Sequence, residues 1–130
     1  MKLVKLIEFP YLEESNGDLV VVEGGTIPFN VSRVFTVRAS KGSVRGEHAH
    51  RHCSQLLICT NGALEVKCDD TRTTEACVLD KANFGLYIPP GIWGYQKYIE
   101  DNTILTVLCD QPYDEADYIR NYDDFKLFSK

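Results

Sequence analysis

Short apolar and β-branched runs, separated by turn residues, follow one another along most of the chain. This pattern predicts strands over residues 3–8, 18–23, 32–38, 46–50, 55–60, 63–68, 76–79, 86–88, 95–99 and 104–109. Many short strands at regular spacing argue for a sandwich or barrel. Asn61 and Gly62, between two apolar runs, predict a hairpin, because this dipeptide suits the positive φ angles of a type I′ turn. Asp69–Asp70 and Pro89–Pro90–Gly91 mark further turns, and residues 114–118 read as a short helical turn. No linker, repeat or low-complexity stretch interrupts the series, so residues 1–130 are expected to form a single domain.

The three histidines, His48, His50 and His52, fall within five residues. Side chains at i, i+2 and i+4 of a strand share a face, so an extended 46–52 segment would aim all three the same way. A row of solvent-facing polar residues would have the same spacing. The surroundings favour a site. Gly42 is followed after five residues by His48-Ala49-His50, after four more by Gln55, and after six more by Gly62. This spacing resembles the first cupin motif, with Gln55 in place of its glutamate. Pro89, Pro90 and Gly91 match the centre of the second cupin motif, whose glycine, histidine and asparagine positions fall on Asn83, Gly94 and Tyr98. The resemblance implies an all-β protein, a single cupin (jelly-roll) β-barrel with a short C-terminal helical turn.

The departures bear on the chemistry. A metal cupin holds its ion with two histidines, a glutamate and a third histidine. Here Gln55 is a weak neutral ligand and Gly94 has no side chain, whereas metal sites usually take three or four protein ligands. Metal-free imidazoles are therefore expected, and an imidazole with a pKa of ~6.5 exchanges protons near neutrality. Arg45 and Gln55 add donors suited to a developing enolate oxygen or a diphosphate.

The net charge of −5 and pI of about 5.1 disfavour a general nucleic-acid binder. A local positive patch for an anionic small molecule remains available from Arg38, Lys41, Arg45 and Arg51. The five cysteines form no C-x-x-C pair and read as free thiols in a reducing cytosol. No signal peptide and no apolar run near the ~20 residues of a membrane span are seen, so a cytoplasmic protein without a membrane partner is expected.

Four segments carry a more specific resemblance: IPFNVSRVF, VRGEHAHRHCSQLL, FGLYIPPGIWGY and the tail YDEADYIRNYDDF. Together they make the chain similar to the dTDP-sugar 3,4-ketoisomerases, cupins that supply dTDP-3-keto-6-deoxyhexoses for bacterial surface polysaccharides. The resemblance implies dTDP-4-keto-6-deoxy-D-glucose as substrate. A proton leaves C3, an enediol spans C3 and C4, and reprotonation at C4 completes the shift. It assigns His48 and His50 to these transfers, with base and acid left open. It also implies no cofactor, no metal, and a homodimer with exchanged N-terminal strands. Thr36 stands where many members have an aromatic residue, which places it among the expected substrate contacts and leaves the product's C4 configuration open. The stretch from Ser15 to Asp18 lacks an arginine often found there. Three other readings stay open: a 3,5-epimerase of the same sugar, a non-catalytic sugar-binding cupin, and a metal cupin oxygenase.

Trp93, after the Pro-Pro-Gly turn, fits either packing or a ligand contact and is kept as a candidate. Arg120 is expected in a surface ion pair, and Cys53 is expected to be inert. Arg51 should point away from His50.

Overall fold

The structure, a computed structural model, describes residues 4–130. Its elements are β1 (Lys5–Glu8), β2 (Tyr11–Glu14), β3 (Gly17–Val20), β4 (Arg33–Ala39), β5 (Val44–His50), β6 (Gln55–Asn61), β7 (Leu64–Asp69), β8 (Thr74–Leu79), β9 (Phe84–Ile88), β10 (Trp93–Tyr98), β11 (Thr103–Cys109), β12 (Tyr118–Ile119) and α1 (Tyr122–Phe128). Each predicted strand has a counterpart, although Leu3, at the start of the first, lies outside the described residues. The expected helical turn appears as a 3₁₀ turn at Glu115–Asp117.

The strands form two five-stranded sheets, ordered β1-β9-β6-β11-β4 and β12-β5-β10-β7-β8, and a separate β2-β3 ribbon. The jelly roll is thus a sandwich of two sheets rather than one continuously hydrogen-bonded barrel. Alternation sets what lies between them. Thr103, Leu105, Val107 and Cys109 of β11 are buried, as are Leu64, Val66 and Cys68 of β7, while the residues between them are only partly buried. These inward rows make one core with Leu57, Leu86 and Tyr98.

A second cluster covers the back of the first sheet, where Phe9 and Ile27 of the N-terminal segment pack on Leu56 and Ile58. That contact needs Gly85, because a Cβ there would lie 2.9 Å from the Phe9 ring and 2.8 Å from Leu56. Burial by this segment explains why β6 reads as a continuous apolar run instead of alternating.

The Asn61–Gly62 expectation is corrected. β6 and β7 belong to different sheets, so these residues form a corner between layers and no hairpin. Asn61 stays in its strand and only Gly62 has a positive φ, of 84°. Gly62 lies against Thr103, whose hydroxyl donates to the Glu100 carbonyl (2.8 Å) and accepts from the Ala63 amide (3.3 Å). The Asp69–Asp70 turn does close a hairpin, β7-β8, and Asp70 accepts from the amides of Arg72 and Thr73.

The C-terminal α1 was not predicted. Its cap is Asn121, which accepts from the Asp124 amide, with Asp123 and Asp124 in the first turn and Lys126 in the last. The fully buried Phe125 pins it against Ala49, Ile119 and Trp93. Among the described residues, no helix is long and apolar enough to cross a membrane.

Candidate active site

The site lies at one end of the sandwich, where the inward rows turn polar. Along β6 the inward residues run from Cys59 through Leu57 to Gln55, and along β10 from Tyr98 through Gln96 to Gly94. Between these rows opens a cleft of about 350 Å³. His48, Arg45, Gln55, Gln96, Tyr98 and Tyr118 line it, with Arg33, Phe35 and Val37 of β4, and with Arg120 of the tail.

His48 and His50 share the inner face of β5, their rings edge to face with centroids 5.0 Å apart. His52 does not join them. The strand ends at His50, and His52 is exposed on the following bend, where its amide donates to Asp117 Oδ1 (2.6 Å). The extended 46–52 segment is therefore corrected: after His50 the backbone turns towards the C-terminal tail, and the Arg51 amide donates to the Asp117 carbonyl (2.9 Å).

The tail supplies what the motif strand lacks. β12 pairs with β5, setting Tyr118 opposite His50 and Ile119 opposite Ala49. His50 is 7% exposed and Asp117 8%. His50 Nδ1 lies 2.8 Å from Asp117 Oδ2. A carboxylate can only accept, so Nδ1 carries the hydrogen and Nε2 keeps its lone pair. Burial pushes the Asp117 carboxyl up, but the His50 bond and the His52 and Cys53 amides outweigh it and leave the group below its ordinary value. Burial lowers both imidazoles below the usual histidine value. The Asp117 bond opposes this at His50, and the neighbouring His50 adds to it at His48. Burial thus favours the neutral, proton-accepting form of both rings.

His48 Nδ1 and His50 Nε2 are buried and meet no hydrogen-bond partner among the described residues. For His48 this leaves Nε2 as the nitrogen open to the cleft. His50 instead faces a recess of about 20 Å³ between the sheets, which it shares with His48, Gln55, Gly94 and Gln96.

Tyr118 roofs both imidazoles, at 4.5 Å from His50 and 5.1 Å from His48 between ring centroids. Arg33 Nη1 donates to its hydroxyl (3.4 Å), and the Arg120 guanidinium sits 4.4 Å over its ring. Arg120 also makes the expected ion pair, a two-point contact to Glu115 at 2.7 and 3.0 Å. Arg120 and the Tyr113 hydroxyl together hold the Glu115 carboxyl at about 2.

Two expected contacts do not reach the cleft. Thr36 is exposed on the outer face of β4, opposite to Arg33, Phe35 and Val37, because adjacent strand residues face opposite ways. Trp93 faces away from Gly94 and Gln96, its ring 5.3 Å from Tyr122 and 5.8 Å from Phe125, where it packs the tail in place. Of the expected basic cluster only Arg45 lines the cleft. Arg38 is on the outer face of β4, and Arg51 lies over Phe128, pointing away from His50 as expected. Cys53 Sγ donates to the Ser54 carbonyl (3.3 Å), and the neighbouring Cys109 thiol together with burial pushes its own thiol up.

For metal binding, one group among the described residues brings ligand atoms within 4.8 Å of one another: His50, Cys53 and Asp117. Both oxygens of Asp117 are already engaged, by His50 and by the His52 amide. Gly94, paired with His48 across the β5-β10 ladder, offers nothing where the cupin motif has its third histidine. These residues do not reproduce the cupin ligand set.

The arrangement of adjacent imidazoles under a basic rim can be set beside known proteins. The family model described as "FdtA: WxcM-like, C-terminal" matches residues 2–130. The chain belongs to this family. A TDP-4-oxo-6-deoxy-α-D-glucose-3,4-oxoisomerase of Aneurinibacillus thermoaerophilus is 38% identical over 126 residues, covering 95% of this chain and 91% of the relative. Solved structures agree with the FdtA family assignment. A histidine-to-asparagine variant of the 3,4-ketoisomerase QdtA from Thermoanaerobacterium thermosaccharolyticum, in complex with TDP-4-keto-6-deoxyglucose, superposes with a TM-score of 0.92 at 34% identity, covering 96% of this chain and 92% of that one. A 3,4-ketoisomerase from Helicobacter canadensis superposes with a TM-score of 0.92 at 30% identity, covering 98% of both chains.

Sequence reasoning had missed Asp117, Tyr118 and Arg33 as site residues. Asp117 and Tyr118 lie in the tail segment that carried the family resemblance, but spacing alone does not show that this segment pairs with β5. Arg33 had a readable signal: it begins an alternating strand whose other inward residues, Phe35 and Val37, are apolar.

Proposed function

We infer that this protein is an isomerase, a nucleotide-sugar 3,4-ketoisomerase, which converts dTDP-4-keto-6-deoxy-D-glucose to a dTDP-3-keto-6-deoxyhexose. The observation that carries the reading is the pair of adjacent imidazoles, His50 buried and oriented by Asp117 and His48 half-buried, beside a cleft with three arginines. The shift needs four proton movements: off C3, onto O4, onto C4 and off O3. The 4-ketone acidifies the C3 proton, and His48, whose Nε2 opens on the cleft, is the base that removes it. His50, fixed in one tautomer by Asp117, is the second proton carrier. Tyr118 and Gln55 supply hydrogen-bond donors for the oxygens of the enediol, and Arg45 and Arg120 supply charge for the diphosphate.

The reaction as written needs no metal, because the imidazoles carry the protons and the arginines the charge. The protein is proposed to work as one domain, in the cytoplasm, on a small molecule and not on nucleic acid. A homodimer is supported by the β2-β3 ribbon, which among the described residues pairs only with itself and exposes Leu12 (53%) and Leu19 (52%). Exchange of N-terminal strands would make the β1-β9 pairing between subunits instead of within one.

The test is incubation with dTDP-4-keto-6-deoxyglucose and proton NMR of the product, with and without EDTA. A 3-keto sugar formed equally in both arms is expected. A C5 epimer would overturn the isomerase reading, and loss of activity with EDTA would overturn metal independence.

A further inference from the structure

β5 carries an irregularity the proposed chemistry has not used. Gly46 and Glu47 both have positive φ, 93° and 58°. Across the ladder, Gly94 pairs with His48 and Tyr95 with Gly46, so Glu47 is an extra, unpaired residue, a β-bulge beside the histidine. In a regular strand residue 47 would face away from the side His48 occupies. Here both line the cleft.

Gly46 adopts its angle without strain, whereas glutamate rarely does. A strained residue persists where the surrounding structure enforces it, and such residues gather at functional sites. The Glu47 side chain is exposed and makes no hydrogen bond or ion pair among the described residues, although Arg33, Arg45 and Arg120 line the same cleft. An unpaired carboxylate is an acceptor with nothing yet to accept. The 4-keto-6-deoxy sugar proposed for this cleft presents hydroxyl donors at C2 and C3.

We propose that Glu47 binds the substrate by accepting a hydrogen bond from a ring hydroxyl of its sugar, and that the bulge exists to bring this carboxylate beside His48. The idea deepens the ketoisomerase reading and rests on it for the nature of the ligand. It makes Glu47 a determinant of sugar recognition, separate from the residues that hold the nucleotide.

The test uses two unreactive probes, TDP and TDP-glucose, with affinities measured by titration calorimetry on wild type, Glu47→Gln and Glu47→Gly. The quantity read is the tightening that the sugar adds over TDP alone. Loss of a charge-assisted hydrogen bond should shrink it about tenfold in Glu47→Gly and by less in Glu47→Gln, with TDP affinity unchanged. The Tm of Glu47→Gly should be no lower than wild type, since glycine relieves the backbone, and this rules out misfolding as the cause. An unchanged sugar increment in both variants overturns the proposal, as does a wild type that binds TDP-glucose no tighter than TDP. A protein that binds neither probe would fail the nucleotide-sugar reading itself, and this inference with it.

Discussion

The two halves of the candidate site are built by different means. The motif half, β5 and the start of β6, is drawn from the two facing five-stranded sheets: His48 pairs with Gly94 in one, and Gln55 with both Ile88 and Cys109 in the other. The tail half, Asp117 to Arg120, is held by only two residues of β12 and by the α1 anchor. The motif half is therefore fixed by hydrogen-bond ladders and the tail half by a few buried side chains. Yet it is the tail that sets the tautomer of His50 and closes the roof over both rings. Rigid placement and chemical tuning come from different segments of the chain.

The largest effect should come from the motif half. His48→Asn and His50→Asn are each expected to lower kcat about 10³-fold while TDP still binds, since general acid–base groups contribute factors of this order. Calorimetry with TDP and a Tm measurement check that only chemistry is lost. A variant with full activity would remove that histidine from the mechanism.

Next comes the tail's hold on that chemistry. In Asp117→Asn the amide can donate to His50 Nδ1, which reverses the tautomer and puts the hydrogen on Nε2. kcat should fall about 10²-fold with KM little changed, as when an orienting partner is removed. An equal loss in KM would mean that Asp117 shapes the binding cleft and does not tune the imidazole.

The anchor offers a test of stability. Trp93→Ala removes the packing of Tyr122 and Phe125 and should cost about 3 kcal/mol in unfolding free energy, read from denaturant titration. If TDP affinity also collapsed while stability held, Trp93 would be a ligand contact after all.

The acid limb of the pH profile is a smaller effect. Burial lowers both imidazoles. The base forms therefore persist as pH falls past the ordinary histidine value of ~6.5, and kcat/KM should decline only below it. The same sign applies to stability: the unfolded chain takes up protons first, so acid destabilises the fold as pH drops through that window. A decline centred above pH ~6.5 would contradict the burial argument.

The smallest effect is expected at Thr36. It is exposed on the outer face of β4, so Thr36→Tyr should leave the product and kcat/KM within about twofold, as for surface changes away from a site. A changed C4 configuration would show that this face reaches the substrate.

Local pattern settled a good deal. Period-2 alternation and turn residues located the strands, the Gly-His-Gln-Gly spacing picked out His48, His50 and Gln55, and Arg45 entered as a nearby donor; all four border the cleft or the recess behind it. These features depend on neighbours along one strand, where side-chain direction follows from position. Thr36 and Trp93 were misplaced because motif position does not say which face of a strand meets the cleft. His52 was misplaced because the strand stops where Asp117 captures its amide.

What only the tertiary structure decided is the long-range pairing. Asn61 and Gly62 look like a hairpin until β6 and β7 fall in different sheets. Asp117 looks like one of many acidic tail residues until β12 lies beside β5 and puts its carboxylate 2.8 Å from His50. The physical reason is the same in both cases. The period of a strand follows from its own residues, but its partner is chosen by which apolar faces, such as Phe125 on Ala49, can be buried together across the whole chain.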